Sequence, residues 1–146
     1  MDYKMMATEL LEYLIEAQKM DHIFLSNITK IAKGEDAVIR YLQVDNNGAT
    51  ALEISERFGI NTSRVAAILN SLSKKGYIER QVDLYDKRKI HVYITESGIE
   101  YGNKKYEEVL SKLAMLFETL GEKDVSEFIR IQKRIIDIVS DKQIKL

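Results

Sequence analysis

Apolar positions change period twice along the chain, and breakers between them mark further elements. Leu10, Leu11, Leu14 and Ile15 recur at three- and four-residue spacing, with Glu9, Glu12, Glu16 and Lys19 on the other side, which predicts an opening helix. A second helix is expected from Gly34 through Ala37, Val38, Tyr41 and Leu42, and the cluster Asp45-Asn46-Asn47-Gly48 breaks it. Thr50-Ala51-Leu52-Glu53 then has the spacing of a capping box, in which the Thr hydroxyl and the Glu carboxylate each satisfy a free backbone N–H. It opens a short helix that Gly59 stops. Asn61 is placed to cap the next helix, which should end at Lys74-Lys75-Gly76 with Gly76 in a left-handed conformation.

From Tyr77 the period falls to two. Tyr77–Val82 and Ile90–Ile94 are rich in β-formers and enclose the polar stretch Asp83–Lys89, which predicts a β-hairpin with a long charged tip. Helical spacing returns after Thr95 or Ser97. One stripe runs through Tyr106, Val109, Leu110, Leu113, Leu116, Phe117 and Leu120, and Gly121 interrupts it. A second passes through Val125, Phe128, Ile129, Gln132, Ile135, Ile136 and Val139. The fold class expected is mainly α with a small β-hairpin wing. One domain is expected over 1–146, with a winged helix-turn-helix lobe over 34–95 and long helices over 1–33 and 96–146.

The segment 51–70 meets the physical demands of a helix-turn-helix. Two helices that cross over a short turn need a small residue in the first, a residue tolerant of positive φ between them, and apolar clamps in the second. Ser55 and Gly59 fill the first two places, and Ile60, Val65 and Ile68 fill the third. At about 100° per residue, Val65, Ile68, Leu69 and Leu72 share the inward face of the second helix. The opposite face carries Ser63, Ala67, Asn70 and Lys74, with Arg64, Ala66 and Ser71 at its borders and Thr62 at its start. This face has no acidic residue. Short polar side chains with a cation near each end suit entry into the major groove of double-stranded DNA, whose base edges carry the sequence code. At the hairpin tip, Lys87, Arg88 and Lys89 would reach phosphate or the negative minor groove. Asp83 and Asp86 beside them would repel DNA, so they are expected to fix the tip by bonding backbone N–H groups or pairing with Arg88. Lys74 and Lys75 add two further expected phosphate neighbours.

Composition narrows the function classes. The chain has 146 residues, no cysteine, no proline and a formal net charge of −1. Residues 50–95 hold eight Lys/Arg and five Asp/Glu, while the remainder holds 14 and 18, so the basic character is confined to the centre. Absence of cysteine excludes thiolate metal sites and thiol redox sensing. His22 and His91 are far apart, and a structural or surface role is expected for each. No Ser/His/Asp grouping, phosphate-binding glycine loop or metal cluster points to an enzyme, and no cofactor is expected. No apolar run approaches the ~20 residues of a membrane span, and the N-terminus lacks a signal-peptide pattern, so a cytoplasmic location is expected.

The order of these elements and four local motifs resemble the MarR (multiple-antibiotic-resistance regulator) family. The motifs are Thr50-Ala51-Leu52-Glu53-Ile54-Ser55, Ser73-Lys74-Lys75-Gly76-Tyr77-Ile78-Glu79-Arg80, the tip Asp83-Leu84-Tyr85-Asp86-Lys87-Arg88, and Ile94-Thr95-Glu96-Ser97-Gly98. The resemblance implies a ligand-responsive transcription regulator, a homodimer built on the first and last helices. Its two winged lobes would bind a pseudopalindromic operator. A small aromatic or amphipathic effector would sit in a crevice beside the dimer helices, and Tyr13, His22, Phe24 and Tyr41 are the aromatic candidates, each also readable as core or interface. The family tip often reads Asp-x-Arg-Asp-x-Arg. Tyr85 stands at the first Arg, so the wing role carries to Arg88 alone. Ala67 stands where the family often has a long polar side chain, although its methyl can still meet a thymine methyl. The competing reading is a winged helix used for protein–protein contact without an operator.

Overall fold

A computed structural model describes residues 1–17 and 33–141. Among these, α1 spans Tyr3–Ala17, α2 Glu35–Val44, α3 Ala51–Phe58, α4 Thr62–Lys74, α5 Glu96–Leu120 and α6 Glu122–Ser140; β1 is Ala49–Thr50, β2 Ile78–Val82 and β3 Ile90–Ile94. The chain divides into two compact units, 1–106 and 107–146.

The core of the first unit is built from the inward faces of α2, α3 and α4 and from the sheet. Val38, Ile39, Leu42, Ile54, Val65, Leu72 and Val92 are its fully buried side chains. Val65, Ile68, Leu69 and Leu72 are all buried, the face that helical spacing assigned to the interior. The sheet is antiparallel in the order β1-β3-β2. Its central strand pairs Ala49 with Val92 on one side and Arg80 with Val92 on the other.

Two features depart from the sequence pattern. The breaker cluster leads into β1, a third strand too short to show a period of its own. In β2, only Ile78 is buried, so the alternation expected there is not realised. Beyond Ile78 the strand is exposed on both faces.

None of the apolar residues of α1 is buried, and the same holds for α6. In α6, Phe128, Ile129, Ile135, Ile136 and Val139 all lie at the surface of the single chain, Ile135 with 47% of its area exposed. Among the described residues, no helix is long and apolar enough to cross a membrane.

Candidate nucleic-acid interface

The helix-turn-helix is locked at each joint by its own residues. Thr50 Oγ1 accepts from the Glu53 N–H at 3.2 Å and Glu53 Oε2 accepts from the Thr50 N–H at 2.9 Å, completing the capping box of α3. Gly59 ends α3 with φ +61°, a left-handed conformation that strains a residue bearing a Cβ. The small residue at Ser55 serves a second purpose. Its backbone carbonyl accepts from the N–H groups of Gly59 and Ile60, while its hydroxyl donates to the Ile60 carbonyl at 2.6 Å. Asn61 Oδ1 then accepts from the Arg64 N–H at 2.8 Å and starts α4.

At the far end of α4, the Gly76 N–H reaches the Ser73 carbonyl and the Tyr77 N–H reaches the Leu72 carbonyl, both at 3.0 Å, with Gly76 at φ +75°. This pair of bonds is a Schellman closure, which turns the chain sharply into β2. The sequence ending Lys74-Lys75-Gly76 therefore fixes both the length of the helix and the start of the wing.

The outward face of α4 exposes Thr62, Ser63, Arg64, Ala67, Asn70 and Lys74. Ser71 differs. It is half-buried, and its hydroxyl hydrogen-bonds Glu35 on α2. Lys75, expected beside phosphate, donates to Glu35 Oε2 at 2.6 Å with its side chain 48% exposed. Burial pushes the Glu35 carboxyl up, but the bonds from Lys75 and Ser71 outweigh it and hold the carboxyl below its ordinary value. Lys75 and Ser71 both lie on the side of α4 that meets the first turn of α2, where Glu35 stands.

The wing tip is tied by its aspartates. Asp83 Oδ1 accepts from the N–H groups of Tyr85 and Asp86, each at 2.8 Å. Asp86 Oδ1 accepts from the Arg88 N–H at 3.0 Å and from Arg88 Nε at 3.2 Å. Both carboxylates thus serve the roles expected of them. Arg88 keeps 92% of its side chain exposed despite this brace, and Lys87 and Lys89 are exposed beside it.

His91 is the tip's third anchor, and its structural role proves specific. Its Nδ1 lies 2.7 Å from the Gly48 carbonyl and its Nε2 2.7 Å from Asp83 Oδ2. Both partners are acceptors, so both ring nitrogens are satisfied together only when each carries a proton. The bond to Asp83, and after it the bond to Gly48, raises the His91 pKa above its usual value of 6.5. The same contact, with the backbone N–H groups of Asp86 and Tyr85, lowers the Asp83 carboxyl to about 2.

One residue on this surface escaped the sequence reading. Arg80, exposed on β2, donates from Nη2 to Asn70 Oδ1 at 2.7 Å. With Ser71, Ser73 and Lys74, these two line an open hollow between α4 and the base of the wing. The signal was the Gly76 reversal, which lays β2 back along α4; the angle of that reversal, however, is a tertiary property.

The aromatic crevice candidates separate. Tyr13 is exposed on α1, and His22 and Phe24 lie outside the described residues. Tyr41 is half-buried, packs edge-on against Phe58 with ring centroids 5.8 Å apart, and lines a cleft of about 570 Å³. Lys33, Arg40, Arg57 and Arg64 supply the cations of that cleft, and Asp45 its carboxylate.

Comparisons with known proteins bear on the family and the fold. The model of the winged helix DNA-binding domain family matches residues 36–114. The structure of FabT from Streptococcus pneumoniae, solved in complex with DNA, superposes with a TM-score of 0.68 at 17% identity, over 96% of this chain and 99% of that one. A MarR family protein from Bacillus stearothermophilus superposes with a TM-score of 0.70 at 16% identity, over 96% and 99% of the two chains. In sequence, the chain is 26% identical over 82 residues to YkoM of Bacillus subtilis (strain 168), described as an uncharacterized HTH-type transcriptional regulator. That match takes in 56% of this chain and 53% of YkoM, about half of the relative's length.

Proposed function

The chain belongs to the winged helix DNA-binding domain family and has the fold of MarR regulators, and on that premise we propose that it is a cytoplasmic, non-enzymatic, ligand-responsive repressor that binds a pseudopalindromic operator as a homodimer. The observation that carries this reading is the outward face of α4. It is free of acidic residues, presents Ser63, Arg64, Asn70 and Lys74, and stands beside a wing whose aspartates are already engaged while Lys87, Arg88 and Lys89 reach into solvent. Phosphate contacts from the wing and from Lys74 would set the register, and the short side chains of α4 would read base edges.

The dimer is supported by the apolar side chains that α1 and α6 leave uncovered in the single chain. Burying such surface is worth about 25 cal/mol per Å², and a two-fold contact covers the same faces on both copies. The ligand response is supported by the cleft at Tyr41. Its volume falls within the roughly 300–1,000 Å³ of small-molecule sites, and its cations suit an anion with a flat apolar body. Arg64 lines this cleft and also opens the DNA-facing side of α4. A bound anion would compete with DNA for that guanidinium.

The test is a selection of bound fragments from random duplex DNA by the purified protein, followed by titrations of the selected duplex over a salt series. About six phosphate contacts per dimer give a slope of log K against log salt on the order of −5. A flat slope, or no preference for any sequence over random duplex, refutes the reading. Release of the selected duplex by small organic anions, and loss of that release in Arg57→Ala, tests the cleft.

A further inference from the structure

The contact between Asn70 and Arg80 determines what the centre of α4 can say to a base pair. An asparagine side chain carries one acceptor oxygen and one donor nitrogen, and its familiar partner is adenine, which offers an acceptor and a donor side by side in the major groove. Here Arg80 donates to the oxygen, which occupies one of its two lone pairs and turns it toward the guanidinium. Arginine has no acceptor, so the amide must turn Oδ1 toward Arg80 and Nδ2 away from it. The guanidinium that holds the oxygen also brings its other N–H groups to the same place. Those donors would face the donor amino group of adenine, but they suit the two acceptors of guanine, N7 and O6. The surroundings do not reverse this preference. The hollow around the pair is lined otherwise by Ser71, Ser73 and Lys74, with no carboxylate among its lining residues.

We propose that Asn70 and Arg80 act as a single donor-only reading unit that selects guanine at one base pair of each half-site, with Arg80 setting the specificity of Asn70. This rests on the DNA-binding reading above. Arg80 is then more than a brace between helix and wing: its removal should free Asn70 Oδ1 and change the base chosen, not only the affinity.

The experiment uses the full chain, with fragment selection repeated for wild type, Arg80→Ala and Asn70→Asp, and each result checked by titrating duplexes that differ at the affected base pair. Wild type should favour guanine there by roughly tenfold, the discrimination a good bidentate contact gives. Arg80→Ala should lose that preference and move toward adenine while the other positions of the site keep theirs. Asn70→Asp keeps a partner for Arg80 but replaces the amide donors with acceptors, so it too should turn away from guanine. Should Arg80→Ala fail to fold, as judged by thermal melting, Asn70→Asp alone decides. The proposal is overturned if both folded variants weaken every sequence equally with unchanged base preferences, or if wild type favours adenine at this position. A wild-type protein that selects no sequence at all overturns the DNA-binding reading itself.

Discussion

Gly98 offers a perturbation whose outcome depends on tertiary contact winning over local propensity. It lies in the first turn of α5 and is buried, and its N–H donates to Thr95 Oγ1 at 3.1 Å. In a helix, alanine is better than glycine by about 0.5–1 kcal/mol, so local reasoning makes Gly98→Ala stabilising. The structure reverses the sign. A Cβ here would lie 2.8 Å from Ile94 Cγ1 and inside the van der Waals envelope of the Tyr77 carbonyl oxygen. That oxygen belongs to the backbone and already accepts from the Thr95 N–H at 3.0 Å, while the Thr95 hydroxyl donates to the Gly76 carbonyl at 2.6 Å. Relief therefore requires the start of α5 to move away from the closure of α4. Overpacking costs about 1–3 kcal/mol, and losing one of these bonds about 1 kcal/mol more. Subtracting the helical gain leaves a net loss of about 2 kcal/mol, a fall in Tm of roughly 6 °C for a chain of this size. Gly102→Ala is the internal control. Its Cβ would meet no backbone atom: Gln43 Oε1 at 2.8 Å is the end of a side chain that can swing, while Ile39 Cγ2 at 2.9 Å is a branch methyl of a buried core residue. This variant should be destabilised less than Gly98→Ala, because a side chain can yield by a few tenths of an ångström where the Tyr77 backbone cannot. Thermal and urea melts followed by circular dichroism measure both. A Gly98→Ala protein as stable as wild type, or no worse than Gly102→Ala, refutes the reasoning.

The remaining predictions concern charge and assembly. Because the folded His91 pKa is raised, the stability it lends the wing is fully present below its ordinary 6.5 and is lost as pH rises through the higher folded value. The His91 ring protons, followed by NMR, should titrate above 6.5 in wild type and fall back in Asp83→Asn, and a wild-type midpoint at or below 6.5 contradicts the double-acceptor geometry. At the acid end, the Asp83 contribution should disappear between its ordinary 3.8 and about 2. Lys87→Ala and Lys89→Ala should each flatten the salt slope of DNA binding by about one unit. Lys75→Ala, which loses only its exposed pair with Glu35, should leave the slope unchanged and cost less than about 1 kcal/mol in a melt. Ile135→Glu should convert the dimer to a monomer in light scattering, because a carboxylate buried without a partner costs several kcal/mol; an unchanged dimer mass moves the interface off this face of α6.

Much of the lobe was legible in the sequence because its joints are local. A capping box, an Asn N-cap, a left-handed glycine at each helix end and a 3.6-residue stripe are specified by residues within a few positions of one another. Thr50, Glu53, Gly59, Asn61, Val65, Leu72 and Gly76 accordingly stand where the pattern put them. The roles of Asp83 and Asp86 were legible for the same reason, since both bond N–H groups two or three residues away. What the sequence could not contain were the pairings set by the angles at which elements meet. Lys75 and Glu35 are 40 positions apart, His91 and Gly48 are 43 apart, and Arg80 reaches Asn70 only because the chain doubles back at Gly76. Periodicity reports which face of an element is apolar. It does not report which polar side chain of a distant element comes within hydrogen-bond reach, because that depends on packing to within an ångström or so. The fold and the cationic surface followed from local pattern and charge. Which cations remain free for DNA, and which acceptor on α4 already has a partner, was decided by the tertiary structure alone.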